Sequence, residues 1–261
     1  MKIALAQLQS STDPSANLDL VRQYTARAAA QGAEMVVFPE ATMHSFAAPP
    51  ARAAEALDGL WATAVRSIAR EHGLTIVAGM FTTTASHRVR NTLLVTGAVE
   101  AHYDKIHLFD ALGHTESETI EAGTEPLVVE VGGARLGFAI CYDVRFPEQF
   151  TQLARLGAEA IVVAASWASG PHKVHQWRTA ATARAMDSAS FVIACGQARP
   201  EGPDDRRPIG VGHSLVVDPF GTVLLELGDD PELGVVEIDL AAVEAARESV
   251  GVLRNARLSG R

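Results

Sequence analysis

The chain has 261 residues, 48% of them hydrophobic and 20% charged, which excludes an intrinsically disordered chain and allows one large domain or two small ones. Its formal net charge of −9 argues against nucleic acid or an anionic membrane surface as the main partner. Two cysteines are too few for a disulfide framework. The N-terminal apolar run is too short for a signal peptide, and no stretch approaches the roughly 18 apolar residues of a membrane helix. A reduced, cytoplasmic protein is therefore expected.

The first half of the chain alternates apolar runs, which predict buried strands, with apolar residues at helical spacing, which predict helices. The first helix is expected to be capped by Asn17 and to stop at Gly32. Residues 111–123 have no apolar periodicity and are predicted to be a loop long enough to line a site. In chain order the other elements are strands at 3–6 and 34–38, a loop at 41–50, a long helix at 51–72, and strands at 74–78, 91–96 and 98–103.

The second half continues this alternation. Its helices are too few to cover both faces of so many strands, so two sheets packed face to face with helices outside are expected. The predicted fold class is therefore α/β, a four-layer αββα sandwich of two mixed sheets, in a single domain over residues 1–261. The elements are strands at 127–131, 136–140, 160–164 and 191–194, helices at 147–157, 172–187 and 241–249, an exposed loop at 199–208, a hairpin at 214–227 and a last strand at 234–239.

Cys141 occupies the most informative position, because a buried strand ends on it and Pro147 opens the next helix. Ligands in open α/β sheets bind at the carboxyl ends of the strands. Free backbone N–H groups and the positive end of a helix would favour a thiolate and an oxyanion there. The local pattern is equally compatible with a nucleophile and with a buried apolar filler.

Motifs for several other chemistries are missing from the sequence. It has no G-x-S-x-G nucleophile elbow and no phosphate-binding G-x-x-x-x-G-K-[ST], and the glycines at 210 and 212 lack the third glycine of a dinucleotide fingerprint. Neither H-E-x-x-H nor C-x-x-C occurs, so no metal site is indicated. His172 and His175, three residues apart on a predicted helix, are better explained as a solvated face than as metal ligands.

Polar residues at other strand ends accompany Cys141, namely Glu40, Lys105 and Glu116. Taken singly, Glu40 could cap a helix, Lys105 could be solvated and Glu116 could be a loop charge. Taken together with Cys141, they supply a nucleophile, a base and a cation for an oxyanion.

Three motifs in this order resemble the nitrilase, or carbon–nitrogen hydrolase, superfamily, and the similarity runs from residue 1 to about residue 253. The resemblance implies an αββα sandwich, hydrolysis of amides or nitriles without a cofactor, and assembly through a two-fold interface. The motifs are Val36-Val-Phe-Pro-Glu40-Ala, Tyr103-Asp-Lys105-Ile-His-Leu-Phe-Asp110 and Gly137-Phe-Ala-Ile-Cys141-Tyr-Asp-Val-Arg-Phe-Pro-Glu148.

The resemblance carries catalytic roles onto Glu40, Lys105 and Cys141. It carries a supporting role onto Glu116, although Glu118 and Glu121 lie close by. Glu40 would take the thiol proton, the thiolate would attack the carbonyl carbon, and Lys105 with the N–H of Tyr142 would stabilise the oxyanion. Glu40 and Glu116 would flank Lys105, so these groups should titrate together. Cys195, in the middle of a predicted strand, is expected to be a core residue.

The Arg-Phe-Pro-Glu form after the cysteine resembles the branch with ω-amidases and deaminated-glutathione amidases, which cut a terminal amide from small carboxylic acids. Ser166-Trp167 replaces the Ala-Phe pair usual in that branch, so the substrate stays open. Arg145 either binds a substrate carboxylate through two parallel hydrogen bonds or pairs with Asp143, Glu148 or another protein carboxylate and holds the turn. Trp167, His44 and the 199–208 loop are the other candidates for specificity.

The function predicted from the sequence is an amidase acting on a small linear amide through a cysteine thioester, with no cofactor and no metal. The alternatives are a general aliphatic amidase, an N-carbamoyl amidohydrolase, a nitrilase, or a catalytically idle scaffold with the same fold. The resemblance, together with the mixed apolar and basic tail at residues 250–261, predicts a homodimer or higher even-numbered oligomer with that tail at a subunit interface.

Overall fold

The computed structural model describes residues 1–200 and 209–257. The predicted 199–208 loop therefore lies almost wholly outside the described residues. Short 3₁₀ helices occupy Pro50–Arg52, Glu116–Glu118 and Cys141–Arg145. The α-helices are α1 (Pro14–Ala30), α2 (Leu60–His72), α3 (Pro147–Arg155), α4 (Lys173–Ser188), α5 (Ala241–Ser249) and α6 (Val252–Asn255). The strands are β1 (Lys2–Gln7), β2 (Met35–Val37), β3 (Thr75–Thr83), β4 (Val89–Thr96), β5 (Ala101–Asp104), β6 (Asp110–Ala111), β7 (His114–Thr115), β8 (Val128–Val131), β9 (Ala134–Ile140), β10 (Ala160–Ala165), β11 (Phe191–Gly196), β12 (Leu215–Val217), β13 (Val223–Glu226) and β14 (Glu232–Glu237).

Two six-stranded mixed sheets form the centre of the fold. The first has the order β14-β1-β2-β3-β4-β5 and the second the order β13-β12-β11-β10-β9-β8. In each sheet three neighbouring strands run parallel, β1-β2-β3 in one and β9-β10-β11 in the other, and the outer pairs are antiparallel. Each parallel trio is connected through helices, because parallel neighbours need a crossover connection.

Alternation of side chains along the strands produces the layers. In β1, Ile3 and Leu5 pack into a core that also contains Leu136 and Phe138 of β9 from the other sheet. The intervening Ala4 and Ala6 of β1 pack instead with residues of α1 and α2, and a third cluster joins the second sheet to α3 and α4. The order is thus helices, sheet, sheet, helices, and the predicted αββα sandwich is confirmed.

Two predicted helix starts are wrong. Helix α1 is capped by Asp13, whose carboxylate accepts a hydrogen bond from the Ser15 N–H at 2.9 Å, and Pro14 follows it. Asn17 is buried inside the first turns, where its amide nitrogen donates to the Ser11 and Met43 carbonyls. It therefore fastens the following loop to α1 and does not cap the helix.

Helix α2 begins at Leu60 and not at residue 51. The backbone of Glu55 prevents an earlier start, because its N–H donates to the Phe81 carbonyl and its carbonyl accepts from the Thr83 N–H. These hydrogen bonds use Glu55 to extend the edge of β3, which a helix could not do. The predicted end is confirmed, with Gly73 in the left-handed conformation at φ 64°.

The segment from residue 111 to 123 is more ordered than predicted. Strands β6 and β7 pair as a small antiparallel hairpin, and the 3₁₀ helix Glu116–Glu118 follows directly. Polar composition hid these elements, since two-residue strands have no periodicity to detect.

Strand ends from both sheets meet at one edge of the sandwich. After β2 ends at Val37, the chain makes a tight turn that contains Glu40, and the next residue, Ala41, has φ 59°. A side chain at Gly79 of β3 would come within 2.6 Å of the Pro39 carbonyl oxygen, so glycine is required for this turn to cross the strand. The residues that follow β9 and β10 in the second sheet, Cys141 and Ser166, lie opposite this turn.

Candidate active site

One pocket collects most of the residues predicted from the sequence. Its empty volume is about 480 Å³, including the part open to solvent. Aromatic rings supply much of its wall. The predicted site residues that line it are Glu40, Lys105, Glu116, Cys141, Tyr142, Arg145 and Trp167, and the pocket also includes Phe46, Phe109, His114, Ser166, Ala168 and Lys173.

Glu40 is almost completely buried and is held by three donors. The Asn91 side-chain amide donates to Oε1 at 2.7 Å, and the Ser166 backbone N–H donates to Oε2 at 2.7 Å. The Lys105 ammonium donates to Oε1 at 3.2 Å. Because Ser166 follows a strand of the second sheet, this carboxylate joins the two sheets at the site.

Lys105 is buried between two carboxylates. Its Nζ lies 2.9 Å from both oxygens of Glu116, in addition to its contact with Glu40. The Phe109 backbone N–H donates to the same Glu116 carboxylate at 2.6 Å and fixes its orientation. The structure brings Glu116 to Lys105, whereas Glu121 pairs with Arg90 at 2.8 Å. The third neighbouring acid, Glu118, is exposed.

Burial and neighbouring charges shift the pKa values of Glu40 and Lys105. Burial raises the pKa of Glu40, with the positive charge of Lys105 acting in the opposite direction and the negative charge of Glu116 adding to the rise. Burial alone would lower the pKa of Lys105, but the charges of Glu40 and Glu116 outweigh it and raise that pKa above its usual range. Lys105 is therefore a permanent cation at physiological pH, and Glu40 is a stronger base than an exposed glutamate.

Cys141 lies at the junction of β9 and a 3₁₀ helix, with a left-handed φ of 47°. Only glycine adopts such angles without strain, so the sharp turn presents the thiol to the pocket at a conformational cost. Desolvation, followed by the negative charge of Glu40, raises the pKa of Cys141 well above its usual value. In the resting protein these two effects exceed the attraction of Lys105, and α3 begins only at Pro147, so the thiol form is favoured.

A buried carboxylate behind Cys141 fixes the turn. Asp143 accepts hydrogen bonds from the Tyr103 hydroxyl at 2.7 Å, the Ile140 N–H at 2.8 Å and the His107 backbone N–H at 2.9 Å. The ring Nδ1 of His107 lies 2.8 Å from the same carboxylate. Asp143 thus ties the cysteine turn to the segment that carries Lys105, and it is not a partner of Arg145.

Arg145 lines the opposite, more open part of the pocket. Its guanidinium donates to the Gln176 side-chain oxygen at 2.8 Å and lies 4.9 Å from the centre of the Trp167 ring. Within residues 1–200 and 209–257 it forms no ion pair with a carboxylate, so neither pairing considered from the sequence, with Asp143 or with Glu148, occurs there. Trp167 lines the pocket as expected, and Arg145 stacks on it.

Sequence reasoning missed Lys173 and Phe109. The ammonium of Lys173, at the start of α4, lies 5.5 Å from the Trp167 ring and 6.0 Å from the Phe109 ring. The signal that could have found Lys173 is its place in the connection after β10, because the carboxyl ends of parallel strands gather ligand-binding residues.

His44 is not brought to the pocket. It is buried, and its Nδ1 has no hydrogen-bond partner among the residues that the structure describes. Burial lowers its pKa, so the ring is neutral. Cys195 is confirmed as a core residue between the sheets, where desolvation raises the pKa of its thiol.

The arrangement combines a carboxylate base, a fixed cation, a thiol and the N–H of Tyr142 near the start of a 3₁₀ helix, where backbone donors lack partners inside the helix. These are the components of acyl transfer through a covalent intermediate.

Across residues 1–200 and 209–257 no cluster of three or more histidine, cysteine, aspartate or glutamate side chains could hold a metal ion. In the same part of the chain no helix is both long and apolar enough to cross a membrane.

Residues 2–248 match the model of the carbon-nitrogen hydrolase family, and the chain belongs to that family. It is therefore an enzyme that hydrolyses carbon–nitrogen bonds other than peptide bonds.

Relatives with assigned activities support this class. A hydrolase of Mycobacterium tuberculosis is 52% identical over 98% of this chain and 95% of its own length. The deaminated glutathione amidase of Escherichia coli O157:H7 is 31% identical over 99% of this chain and 98% of its own. A solved structure of the amidase from Nesterenkonia sp. AN1, with the acetamide moiety of fluoroacetamide covalently added at the active-site cysteine, is 28% identical, covers 98% of this chain and 94% of its own, and superposes with a TM-score of 0.82.

Proposed function

We propose that this protein is an amidase that converts a small linear amide to a carboxylate and ammonia through a thioester on Cys141. The observation that carries the proposal is the convergence of Glu40, Lys105 and Glu116 on the pocket wall that holds Cys141. The amidase relatives, one of them with a covalent adduct at its cysteine, support the same chemistry.

In the first half-reaction, Glu40 accepts the proton of the Cys141 thiol while the sulfur attacks the amide carbon. A thiol of raised pKa needs a base of raised pKa, and burial raises both. The negative charge moves to the amide oxygen, where Lys105 and the Tyr142 N–H stabilise it. Glu116 holds Lys105 in place through two hydrogen bonds and does not contact the substrate in this scheme.

To complete this first half-reaction, the tetrahedral intermediate collapses and its C–N bond breaks. Glu40 returns the proton to the leaving nitrogen, so ammonia departs and a thioester remains on Cys141. In the second half-reaction, Glu40 removes a proton from a water molecule that attacks the thioester. The C–S bond breaks to give a carboxylic acid and the Cys141 thiolate, which takes the proton back from Glu40. The product leaves as a carboxylate after it loses its own proton to solvent.

We further propose that the substrate carries a carboxylate at the end away from its amide, as do the substrates of ω-amidases and deaminated-glutathione amidases. Arg145 supports this because it lines the pocket and has no carboxylate partner among residues 1–200 and 209–257. Its planar fork matches a carboxylate in two parallel hydrogen bonds. General aliphatic amidase, N-carbamoyl amidohydrolase and nitrilase activities are the alternatives.

An ammonia-release screen over small amides tests the proposal. We expect release from amides of short carboxylic acids, including amides with a terminal carboxylate, and loss of release after thiol alkylation. A panel of five kinds of compound separates the alternatives. It should contain 2-oxoglutaramate, deaminated glutathione, neutral aliphatic amides, N-carbamoyl amino acids and nitriles. Absence of turnover on every member would favour the idle scaffold and overturn the proposal.

We also propose that the whole chain forms one catalytic domain and assembles as a homodimer or higher even-numbered oligomer, with residues 250–261 at the interface. Val250 and Val252 in this segment are 60% and 36% exposed, and a neighbouring copy packed here would bury that apolar surface. Light scattering should give an even-numbered mass, and a Val250→Asp, Val252→Asp double variant should lower it. Only monomer at micromolar concentration would refute the assembly.

A reduced, cytoplasmic location fits the two free cysteines.

A further inference from the structure

Lys173 is a cation in the pocket that the proposed chemistry does not use. The chain contains three lysines, Lys2, Lys105 and Lys173. Lys105 and Lys173 both line the pocket, although they start from different elements. Lys173 is half-buried and its ammonium faces the rings of Trp167 and Phe109.

The charge of Lys173 has no counter-charge. Throughout residues 1–200 and 209–257, its Nζ forms neither a hydrogen bond nor an ion pair, and its polar contacts are made by its backbone N–H and carbonyl. Acidic residues outnumber basic ones by 31 to 22 in this chain, so carboxylates are not scarce. Several surface arginines, such as Arg66 and Arg178, do pair with one.

Lys173 and Arg145 point into the same space from two elements. Lys173 opens α4, and Gln176, one turn later on the same helix, accepts the hydrogen bond from Arg145. Trp167 lies under both cations, and its indole N–H donates to the Lys173 carbonyl at 3.0 Å. The group of Arg145, Trp167 and Lys173, here called the pocket mouth, is therefore held as a unit.

We propose that the pocket mouth is an anion subsite in which Lys173 selects amides whose acyl chain ends in a carboxylate. The inference rests on the proposed amidase function and deepens it by adding a specificity residue. Arg145 supplies an oriented fork fixed by Gln176, and Lys173 supplies a compact charge on a flexible chain that reaches the second face of the same carboxylate.

Electrostatics favours this occupant. Desolvation and the nearby positive charge of Arg145 lower the pKa of Lys173, so its charged form is disfavoured in the empty pocket. A substrate carboxylate placed between the two cations removes both penalties. A neutral chain end would leave them in place, and a cationic chain end would add a third positive charge beside Arg145 and Lys173.

The test compares two amides of equal chain length, the monoamide of glutaric acid and neutral pentanamide. Lys173→Met keeps the unbranched apolar stem of the side chain and removes its charge. Lys173→Arg restores the charge, and Lys2→Met makes the same charge change outside the pocket. We expect Lys173→Met to lower kcat/KM for the charged amide about tenfold or more, mainly through KM, and to change it less than about twofold for pentanamide. Lys173→Arg should recover most of the loss, and Lys2→Met should behave as wild type.

A second measurement separates failure of this inference from failure of the amidase proposal. Calorimetric binding of the glutaric monoamide to Cys141→Ala, with and without Lys173→Met, needs no turnover. If wild type hydrolyses no amide, the amidase proposal fails, and the calorimetry still decides the subsite. Equal loss of kcat/KM for both amides, or equal binding with and without Lys173, would overturn the inference.

Discussion

The floor of the pocket, formed by Glu40, Lys105 and Glu116, and the pocket mouth both concentrate charge, but they balance it in opposite ways. On the floor each charge is buried against an opposite one, with contacts of 2.9 and 3.2 Å. At the mouth two cations face one aromatic side chain, and neither has a carboxylate partner within residues 1–200 and 209–257.

This difference separates chemistry from recognition. A buried cation held in place by two carboxylates costs little reorganisation when charge develops on the substrate, which is the property that transition-state stabilisation requires. An unpaired cation, in contrast, gains a partner only when an anionic ligand arrives, which is the property that selectivity requires. Changes on the floor should therefore affect all substrates equally, and changes at the mouth should affect only charged ones.

The largest effect is expected on the thiol above the floor. Cys141→Ala should lower kcat by at least about 10,000-fold for charged and neutral amides alike, because no thioester can form. Cys195→Ala is the matched control, since that thiol is buried between the sheets and should leave most activity intact. Circular dichroism should show both variants folded. An active Cys141→Ala with a dead Cys195→Ala would reverse the assignment.

Replacing the base should come next. Glu40→Gln keeps the shape of the side chain but cannot accept the thiol proton, so kcat/KM should fall about 100- to 10,000-fold for both kinds of amide. Asn91→Ala, which removes one donor to Glu40 and leaves the base, should lose less. A Glu40→Gln variant with wild-type rates would exclude Glu40 as the base.

The same carboxylate sets a pH dependence. Burial raises the pKa of Glu40, and the reaction needs its deprotonated form, so kcat/KM should fall as pH decreases through a pKa above the ordinary value of about 4.3. The decrease of kcat/KM at acidic pH should be the same for the charged and the neutral amide, since Glu40 is the base for both. A rate that is constant down to about pH 4.3 would contradict a raised pKa at this position.

A smaller effect is expected for Glu116→Gln. Lys105 would lose one of its two charged partners and the orientation that Glu116 provides, so kcat should fall about tenfold to a hundredfold, as for one hydrogen bond to a charged group. Glu118→Gln, two residues away and exposed, is the control and should be silent. A loss confined to charged amides would move Glu116 from the floor to substrate recognition.

The smallest and most selective effect is expected for Arg145→Lys at the mouth. An ammonium cannot reproduce the planar fork, so kcat/KM for the carboxylate-bearing amide should fall about tenfold, with little change for the neutral one. Equal losses for both amides would instead assign Arg145 to the structure of the cysteine turn.

Local patterns in the sequence were sufficient for the layers and for most elements. Apolar runs such as the one that ends at Cys141 occur where a strand is buried on both faces, so their positions follow from composition alone. Helix starts were less predictable, because Asp13 and Asn17 are both good capping residues. Asn17 does not cap the helix, since its side chain is hydrogen-bonded to the Ser11 and Met43 carbonyls.

The sequence by itself determined which residue types stand at the strand ends, and with them the class of chemistry: a thiol, a carboxylate and a lysine in recognisable motifs. Only the tertiary structure decided which of Glu116, Glu118 and Glu121 pairs with Lys105, that the Cys141 thiol is neutral at rest, and that Lys173 joins Arg145 beside Trp167. The physical reason is that motifs are local, whereas ion pairs, desolvation and the balance of charge depend on distances between segments that are far apart in the chain.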